Sequence, residues 1–404
     1  MSTREHDVVL HGATGFVGRL TARHLAQHPG TARIALSGRS LPKLQALRDE
    51  LGVSWPLLLA DAADPASLAS LAASTTAVAT TVGPYLKYGM PLVMACAAAG
   101  TSYCDLTGEV LFVRESHEQA HKIAFDSGAR IVHAAGFDSI PSDLGVLLLH
   151  EQVEADGEGT MEDTALLLVS MKGGVSGGTI DSLRTQLASV RADSSLKPLL
   201  ADPYGLSPSP LEEPSLGDEK DVMLPTRDPL LDRWVAPFVM APYNTRIVRR
   251  SNALLGHAYG PGFRYREVMG VGRTPLAPVL AGGVTVGLGL LVAGMSLAPT
   301  RAVLDRVLPK PGSGPSEKLQ RTGHFRAEIH TRTTTGARYV ATVAAQGDPG
   351  YAATAVMFGQ SALCLGTDPL TSSGGVLTPA VAMGSVLAAR LRAQGFELSV
   401  RRVL

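Results

Sequence analysis

The sequence predicts an α/β protein: a doubly wound parallel sheet at the N-terminus, then a second α/β domain that carries an apolar helical segment. Three observations predict it. A short apolar run, Val8-Val9-Leu10, breaks into Gly12-Ala13-Thr14-Gly15-Phe16-Val17-Gly18 and then into Leu and Ala at helical spacing. Strand-like and helix-like stretches alternate through the first third of the chain. From Thr274 to Thr300 there is no charged residue over 27 positions.

The glycine run is the strongest of these. A strand that breaks into a glycine loop and then a helix is built to hold a dinucleotide. The first glycine makes the turn, the second lets backbone approach the pyrophosphate, and the third lets the helix pack on the strand. Free N–H groups and the dipole at the helix N-terminus favour the phosphates. The second strand, Ala32 to Ser37, ends in Gly38-Arg39-Ser40, with Lys43 one helical turn further on. A site for NAD usually offers a carboxylate there, about 20 residues past the glycines, to the ribose 2′-hydroxyl. A guanidinium instead holds a 2′-phosphate through two charge-assisted bonds. These residues predict NADP(H), held by the loop 12–18 and by Ser37, Gly38, Arg39, Ser40 and Lys43. The bland alternative is a solvated basic loop.

The remaining elements follow in order. Pro56 to Asp61 reads as a third strand, and Asp64-Pro65 opens a helix with Asp at the cap and Pro in the first turn. Ala77 to Val82 is a fourth strand, broken by Gly83-Pro84-Tyr85. A helix over 90–99, a strand around 102–105, a helix over 112–126 and a strand over 130–134 continue the alternation, which demands a parallel sheet. Ligands bind such sheets at the carboxyl ends of the strands. Those ends carry Gly12, Arg39, Asp61, Gly83, Asp105 and Gly136, and Asp61, Val82, Gly83 and Pro84 join the expected cofactor contacts.

Bulk properties set bounds. With 404 residues, two or three domains are expected. Lys and Arg number 36 and Asp and Glu 36, so a nucleic-acid partner is not expected. Cys96, Cys104 and Cys364 have neither metal spacing nor an even disulfide count, which fits a reducing compartment and no metal. The charged start, Arg4-Glu5-His6-Asp7, is not a secretory signal, so a cytoplasmic location is expected.

The motifs Gly-Ala-Thr-Gly-Phe-Val-Gly, Ser37-Gly-Arg-Ser40, Val82-Gly-Pro-Tyr85, Tyr103-Cys-Asp-Leu-Thr-Gly-Glu109 and Gly136-Phe-Asp-Ser-Ile-Pro-Ser-Asp143 together resemble the saccharopine dehydrogenase-like oxidoreductases. Within them the chain is most similar to the actinobacterial trans-acting enoyl reductases, which serve lipid-forming polyketide synthases. Ser176-Gly-Gly-Thr179, Gly312-Ser-Gly-Pro-Ser316 and Gly374-Gly-Val-Leu-Thr-Pro379 extend the resemblance to nearly the whole chain. It implies an NADP-binding Rossmann domain over 1–160, a second α/β domain for substrate or dimer contact over 161–370, and a C-terminal helix and strand, 371–404, returning to the first domain. The expected substrate is a lipid-like acyl thioester carried by a polyketide synthase, and a homodimer is a candidate assembly. In the second domain 164–170 reads as a strand, and Gly177-Gly178-Thr179 opens a helix with Ile180, Leu183, Leu187 and Val190 at helical spacing. Residues 197–229 read as a long surface loop, 323–343 and 353–364 as strands, and 378–394 as a helix.

The segment 274–300 is long enough to span a bilayer. Arg264, Arg266 and Arg273 precede it and Arg301, Arg306 and Lys310 follow, and a true crossing would separate later strands from the sheet they complete. A helix or hairpin lying in the membrane surface avoids that conflict. The alternative is a buried hairpin in a core or dimer interface.

Nothing resembles a Ser-His-Asp set, a metal cluster or the Ser-Tyr-x-x-x-Lys arrangement of short-chain reductases. Tyr85 and Tyr88, just past the fourth strand, are the donors nearest to where a nicotinamide should lie; either could equally be a packed aromatic. Asp138 is the third candidate, against an ordinary helix-capping role. Asp105 and Glu109 are open in the same way, between a catalytic role and the commoner surface or capping one, and His133 reads as a core or edge histidine. Three function classes remain: an NADPH-dependent enoyl thioester reductase, a saccharopine-type dehydrogenase acting on a C–N bond with Arg246, Arg249 and Arg250 as the obvious carboxylate binders, and a non-catalytic lipid-associated nucleotide-binding protein.

Overall fold

The computed structural model describes residues 4–173, 177–217, 219–296 and 314–403. Six strands of its first sheet come from the N-terminal third: β1 (His6–His11), β2 (Ile34–Gly38), β3 (Leu57–Leu59), β4 (Thr75–Thr80), β5 (Ser102–Cys104) and β6 (Arg130–Val132). All are parallel, in the order β3-β2-β1-β4-β5-β6. Val8, Val9 and Leu10 are fully buried, because helices cover both faces of the sheet. The helix Phe16–Gln27 buries Gly18, Thr21, Ala22 and Leu25, a 3–4 spacing that lays one stripe on the strands. Strand order reverses between β1 and β4, which opens a crevice at their carboxyl ends.

The second sheet is mixed. It holds β7 (Met161–Lys172), β8 (Thr226–Asp228), β9 (Arg233–Pro237), β10 (Arg264–Gly272), β11 (His324–Thr333) and β12 (Arg338–Gln346). The C-terminal segment is shared between the sheets. β13 (Gly375–Leu377) lies parallel beside β6 in the first, and β14 (Glu397–Val403) pairs antiparallel with β12 in the second. Helix Ile140–Ala155, which buries residues on every side, runs between the sheets; a Cβ on its Gly145 would overlap Ile329 of β11. One apolar cluster joins Val8 and Leu10 of β1 to Ile329 of β11 and Val343 of β12, so the two sheets share a core.

Several readings of the second half change: β14, expected to return to the first domain, pairs instead in the second sheet, and 197–229, expected as a surface loop, carries the helix Lys197–Ala201 and β8. The residues 353–364, expected as a strand, form the helix Thr354–Thr367, which is buried on nearly all sides against the first sheet and helix Phe16–Gln27. An apolar run buried all round shows no periodicity that separates strand from helix. The expected strand over 323–343 is a hairpin, β11 and β12, turning at Gly336, whose φ of +86° suits glycine.

The apolar segment contains one helix, Ala277–Ser296, which rests on β9 and β10 through Ala277 and Ala281. Its outer face stays open, with Val279 71% and Leu290 68% exposed. The core-hairpin alternative does not describe these residues. Arg266, counted as a flanking cation, is held inside the fold by Asp163 and Asp228. Residues 297–300, Arg301, Arg306 and Lys310 lie outside the described residues, as do Ser176, Gly312 and Ser313 of the motifs.

Candidate active site

The phosphate end of the crevice is built by the chain between β1 and its helix. Gly12 turns the backbone at φ +78°, and a Cβ there would lie 2.8 Å from both the Thr81 hydroxyl and a Val82 methyl. The N–H groups of Gly12 and Ala13 donate to Ser37 O, and the Thr81 hydroxyl donates to Gly12 O at 3.0 Å. A Cβ on Gly18 would overlap the Gly12 carbonyl. Gly15 is different. It is exposed, extended at φ −70°, and a Cβ would meet only Gly12 O, at 3.3 Å. The fold itself needs Gly12 and Gly18, whereas a bare Gly15 leaves room for a ligand. As N-cap it offers no side chain to the leading N–H groups of the helix, which suits an anion. Half-buried Thr14, Phe16 and Val17 complete the loop. Phe16 packs edge-on against Tyr351 at 4.9 Å, and Gly314 lies so close to its ring that any side chain there would overlap it.

At the adenosine end, Ser37 is buried with its hydroxyl 3.0 Å from His11 Nδ1, and Gly38 lies beside Leu44 and Thr14. Arg39 and Lys43 project from the end of β2 and the following helix, exposed, with no hydrogen bond or ion pair to any described residue. Ser40 caps that helix with its hydroxyl unused. Free cations and a free hydroxyl beyond β2 fit a ribose 2′-phosphate. Asp61 accepts the Ala63 N–H at 3.0 Å and closes a turn. A small crevice lies among His11, Ala62, Leu68, Thr80, Val82 and Tyr88. Burial pushes His11 down to about 4, so it is neutral at physiological pH. Tyr88, 38% exposed, lies on this crevice beside β1 and β4 rather than at the ends of β5 and β6.

The other end of the site is built from β4, β5 and β6. After Val82-Gly83-Pro84, a single helical turn, Tyr85–Tyr88, is capped from outside: Glu109 accepts the N–H groups of Tyr85 and Leu86 at 3.0 and 2.8 Å and the Ser182 hydroxyl at 2.7 Å. Tyr85 is buried and stacked on Phe112, and its hydroxyl donates to Thr80 O and accepts the Leu106 N–H. The structure commits that hydroxyl to the backbone, so Tyr85 shapes the loop and has no free donor for a substrate. Asp105 is saturated as well, by the Tyr103 hydroxyl, His133 Nδ1 and the N–H groups of Thr107 and Ala134. It ties the ends of β5 and β6 together, and Ala134 sits there at φ +60°, a conformation costly for a residue with a Cβ.

Asp138 is the exception among these carboxylates. It lies past the end of β6, with Oδ2 facing Gly108, and no described residue donates a hydrogen bond to it. Burial pushes its carboxyl up to about 6. Its neighbour Ser139, not Asp138, begins the helix Ile140–Ala155. The capping role weighed against it therefore does not describe it.

The second domain closes over this end through helix Ala241–Leu254. Asn244 accepts the Ser139 hydroxyl at 3.1 Å and donates to Glu267 at 2.9 Å, and Tyr243 beside it packs near Ala134 and Val110. Sequence reasoning missed Tyr243, since nothing local marks a tyrosine that distant chain brings over β6. The arginines of the same helix are structural. Arg246 donates to Leu200 O and pairs with Asp221, Arg249 donates to Glu219 O and Tyr265 O, and Arg250 donates to Leu206 O and Val376 O.

Residues 8–132 match the saccharopine dehydrogenase NADP binding domain family. The chain is 49% identical to the trans-acting enoyl reductase of Mycobacterium ulcerans over 414 residues, covering 99% of each chain. Identity to the trans-acting enoyl reductase of Mycobacterium tuberculosis is also 49%, over 416 residues and 99% of each chain. A second M. tuberculosis chain, assigned the same activity more provisionally, is 52% identical over 415 residues, 99% of this chain and 98% of that one. The fold matches apo saccharopine dehydrogenase (L-Glu forming) from Saccharomyces cerevisiae with a TM-score of 0.54 at 13% identity, covering 98% and 99% of the two chains. The chain thus belongs to the trans-acting enoyl reductases, NADP-binding oxidoreductases on a saccharopine dehydrogenase-like fold.

Proposed function

We propose that this chain reduces the α,β double bond of a lipid-like acyl thioester presented by a separate polyketide synthase, with Asp138 as the proton donor. The carrying observation is the free, half-buried carboxyl of Asp138 at the strand ends where the nicotinamide half of a bound cofactor belongs. Bound NADPH supplies the hydride for the β-carbon. The chain's own work is to hold that cofactor through Gly12, Gly15, Gly18, Arg39, Ser40 and Lys43 and to place an acid beside the α-carbon. Asp138, protonated below about pH 6, gives its proton to the α-carbon and regains one from solvent. Tyr85 and Glu109 keep the loop after β4 in shape, and Tyr88 flanks the adenosine half.

Substrate class is argued from charge. An amino-acid substrate with two carboxylates needs free cations, and Arg246, Arg249 and Arg250 are consumed by backbone carbonyls and by Asp221. An acyl chain needs apolar surface, which helix Ala277–Ser296 offers along an open face without a charge. We infer that this face touches lipid, as the acyl chain itself or a membrane surface. The test is NADPH consumption by the purified chain with a trans-2-enoyl thioester of N-acetylcysteamine or coenzyme A, against an amino acid with a keto acid. Turnover with the thioester alone is expected; turnover with the amino-acid pair alone would reverse the assignment.

A further inference from the structure

The mechanism above leaves one requirement without a group: hydride addition at the β-carbon puts negative charge on the thioester oxygen, which needs a donor. Tyr85 is excluded by its two backbone partners. Tyr243 has the opposite character. It is 5% exposed, and its hydroxyl, buried, has no hydrogen-bond partner among the described residues. A buried hydroxyl without a partner is costly, and a phenylalanine would fill the same space without that cost. Tyr243 belongs to one apolar cluster with Val110, Val113, Ala134, Leu206 and Ile247, which places it by Ala134, just past β6, and by the start of the helix Val110–Ser127. Asn244, the next residue, is bonded to Ser139, the residue after Asp138, so Tyr243 is held in register with the proposed acid.

The surroundings keep the phenol a donor. Burial first, then the charges of Asp105, Asp138 and Glu109, push its ionisation well above the usual range, against a smaller opposite effect from Arg250. Asp105 and Glu109 are saturated by other donors, so neither can take the Tyr243 proton. We propose that Tyr243 is a catalytic residue whose hydroxyl donates to the thioester carbonyl oxygen of the substrate as the enolate forms. The electron pair of the double bond moves to that oxygen as the hydride bonds to the β-carbon. It returns to the α-carbon when Asp138 delivers the proton, so Tyr243 ends unchanged. This inference rests on the enoyl reductase reading.

The test compares wild type, Tyr243→Phe and a protein carrying 3-fluorotyrosine at position 243. Each is measured for NADPH-dependent reduction of trans-2-decenoyl-N-acetylcysteamine, NADPH affinity by fluorescence, and thermal melting. Tyr243→Phe is expected to lose about 10²–10³-fold in kcat, with NADPH affinity within twofold and melting unchanged or higher. The fluorotyrosine protein, which keeps the donor and the shape, stays within threefold of wild type. A Tyr243→Phe enzyme that keeps most of its kcat would overturn the role of Tyr243 and leave the reductase reading standing. Loss of melting temperature and of NADPH affinity together would show a merely structural tyrosine. A wild type inactive on the thioester overturns both readings.

Discussion

The two halves of the crevice are assembled by opposite means. At the adenosine half, the groups proposed to meet the ligand come from two short stretches, 12–18 and 37–43, and the polar ones, Arg39, Ser40 and Lys43, have side chains left unused by the described residues. At the nicotinamide half nearly every polar group is spoken for. Asp105 holds four donors, Glu109 three, and Tyr85 two backbone groups. Only against that saturation do the half-buried Asp138 carboxyl and the buried Tyr243 hydroxyl stand out, each without a partner among the described residues, since an unpaired polar group in such a place persists where something else uses it. The first half teaches that recognition of a charged cofactor is written in exposed residues. The second teaches that chemistry is marked by what a rigid network leaves over.

The largest effect belongs to the saturated half. Asp138→Asn is expected to cut kcat by roughly 10²–10⁴-fold without changing NADPH affinity. In wild type, kcat should fall as pH rises through about 6, where Asp138 loses its proton, and that limb should vanish in the variant. Stability gives an independent check. The folded carboxyl is pushed up from 3.8 to about 6, so its contribution is full below pH 4 and is lost as pH rises through 6. Asp138→Asn should therefore raise the melting temperature at pH 8 and leave it unmoved at pH 4. A carboxylate that merely capped a helix would show the reverse at pH 8.

Next comes the glycine loop, where the comparison can be broken within seven residues. Gly15→Val should abolish NADPH binding, by at least about 10²-fold, in a protein that melts within a few degrees of wild type, because only ligand space is filled. Gly18→Val should instead unfold the first domain, since its side chain would overlap the Gly12 carbonyl. Calorimetric NADPH binding retained in Gly15→Val would reduce the loop to a turn.

That pair also shows what the sequence makes legible. The glycine loop, the alternation through β6 and the basic residues after β2 are local patterns, and each matches a local physical demand. Helix Thr354–Thr367 was hidden because Met357, Phe358, Leu363 and Leu365 are buried all round and erase the periodicity. The candidate site was half legible. Asp138 could be named, but whether it caps a helix depends on Ser139 standing there instead. Tyr85 stands out by its place in the chain, while the use of its hydroxyl depends on Thr80 and Leu106 in three dimensions. Tyr243 arrives from the second domain and carries no local mark.

A smaller effect is expected at the adenosine half. Arg39→Asp should weaken NADPH by roughly 10–100-fold, the worth of a charged hydrogen-bonded pair, and erase or invert the preference over NADH. Equal wild-type affinity for the two cofactors by calorimetry would remove the 2′-phosphate assignment. The smallest effect on stability should come from helix Ala277–Ser296. Val279, Val286 and Leu290 are already 71, 61 and 68% exposed, so replacing all three by Glu should leave melting nearly unchanged. The same protein should release phospholipid vesicles or turn over long-chain thioesters several-fold more slowly than short ones, and a protein unchanged in both respects would end the lipid assignment of that face.

The most direct measurement follows the hydrogen atoms. Wild-type protein is given NADPH deuterated at the transferring C4 position and a trans-2-enoyl thioester in ordinary water, and the product is read by mass spectrometry and NMR. One deuterium at the β-carbon and a solvent-derived proton at the α-carbon is the predicted result. Unconsumed NADPH, or deuterium anywhere other than the β-carbon, would contradict the account.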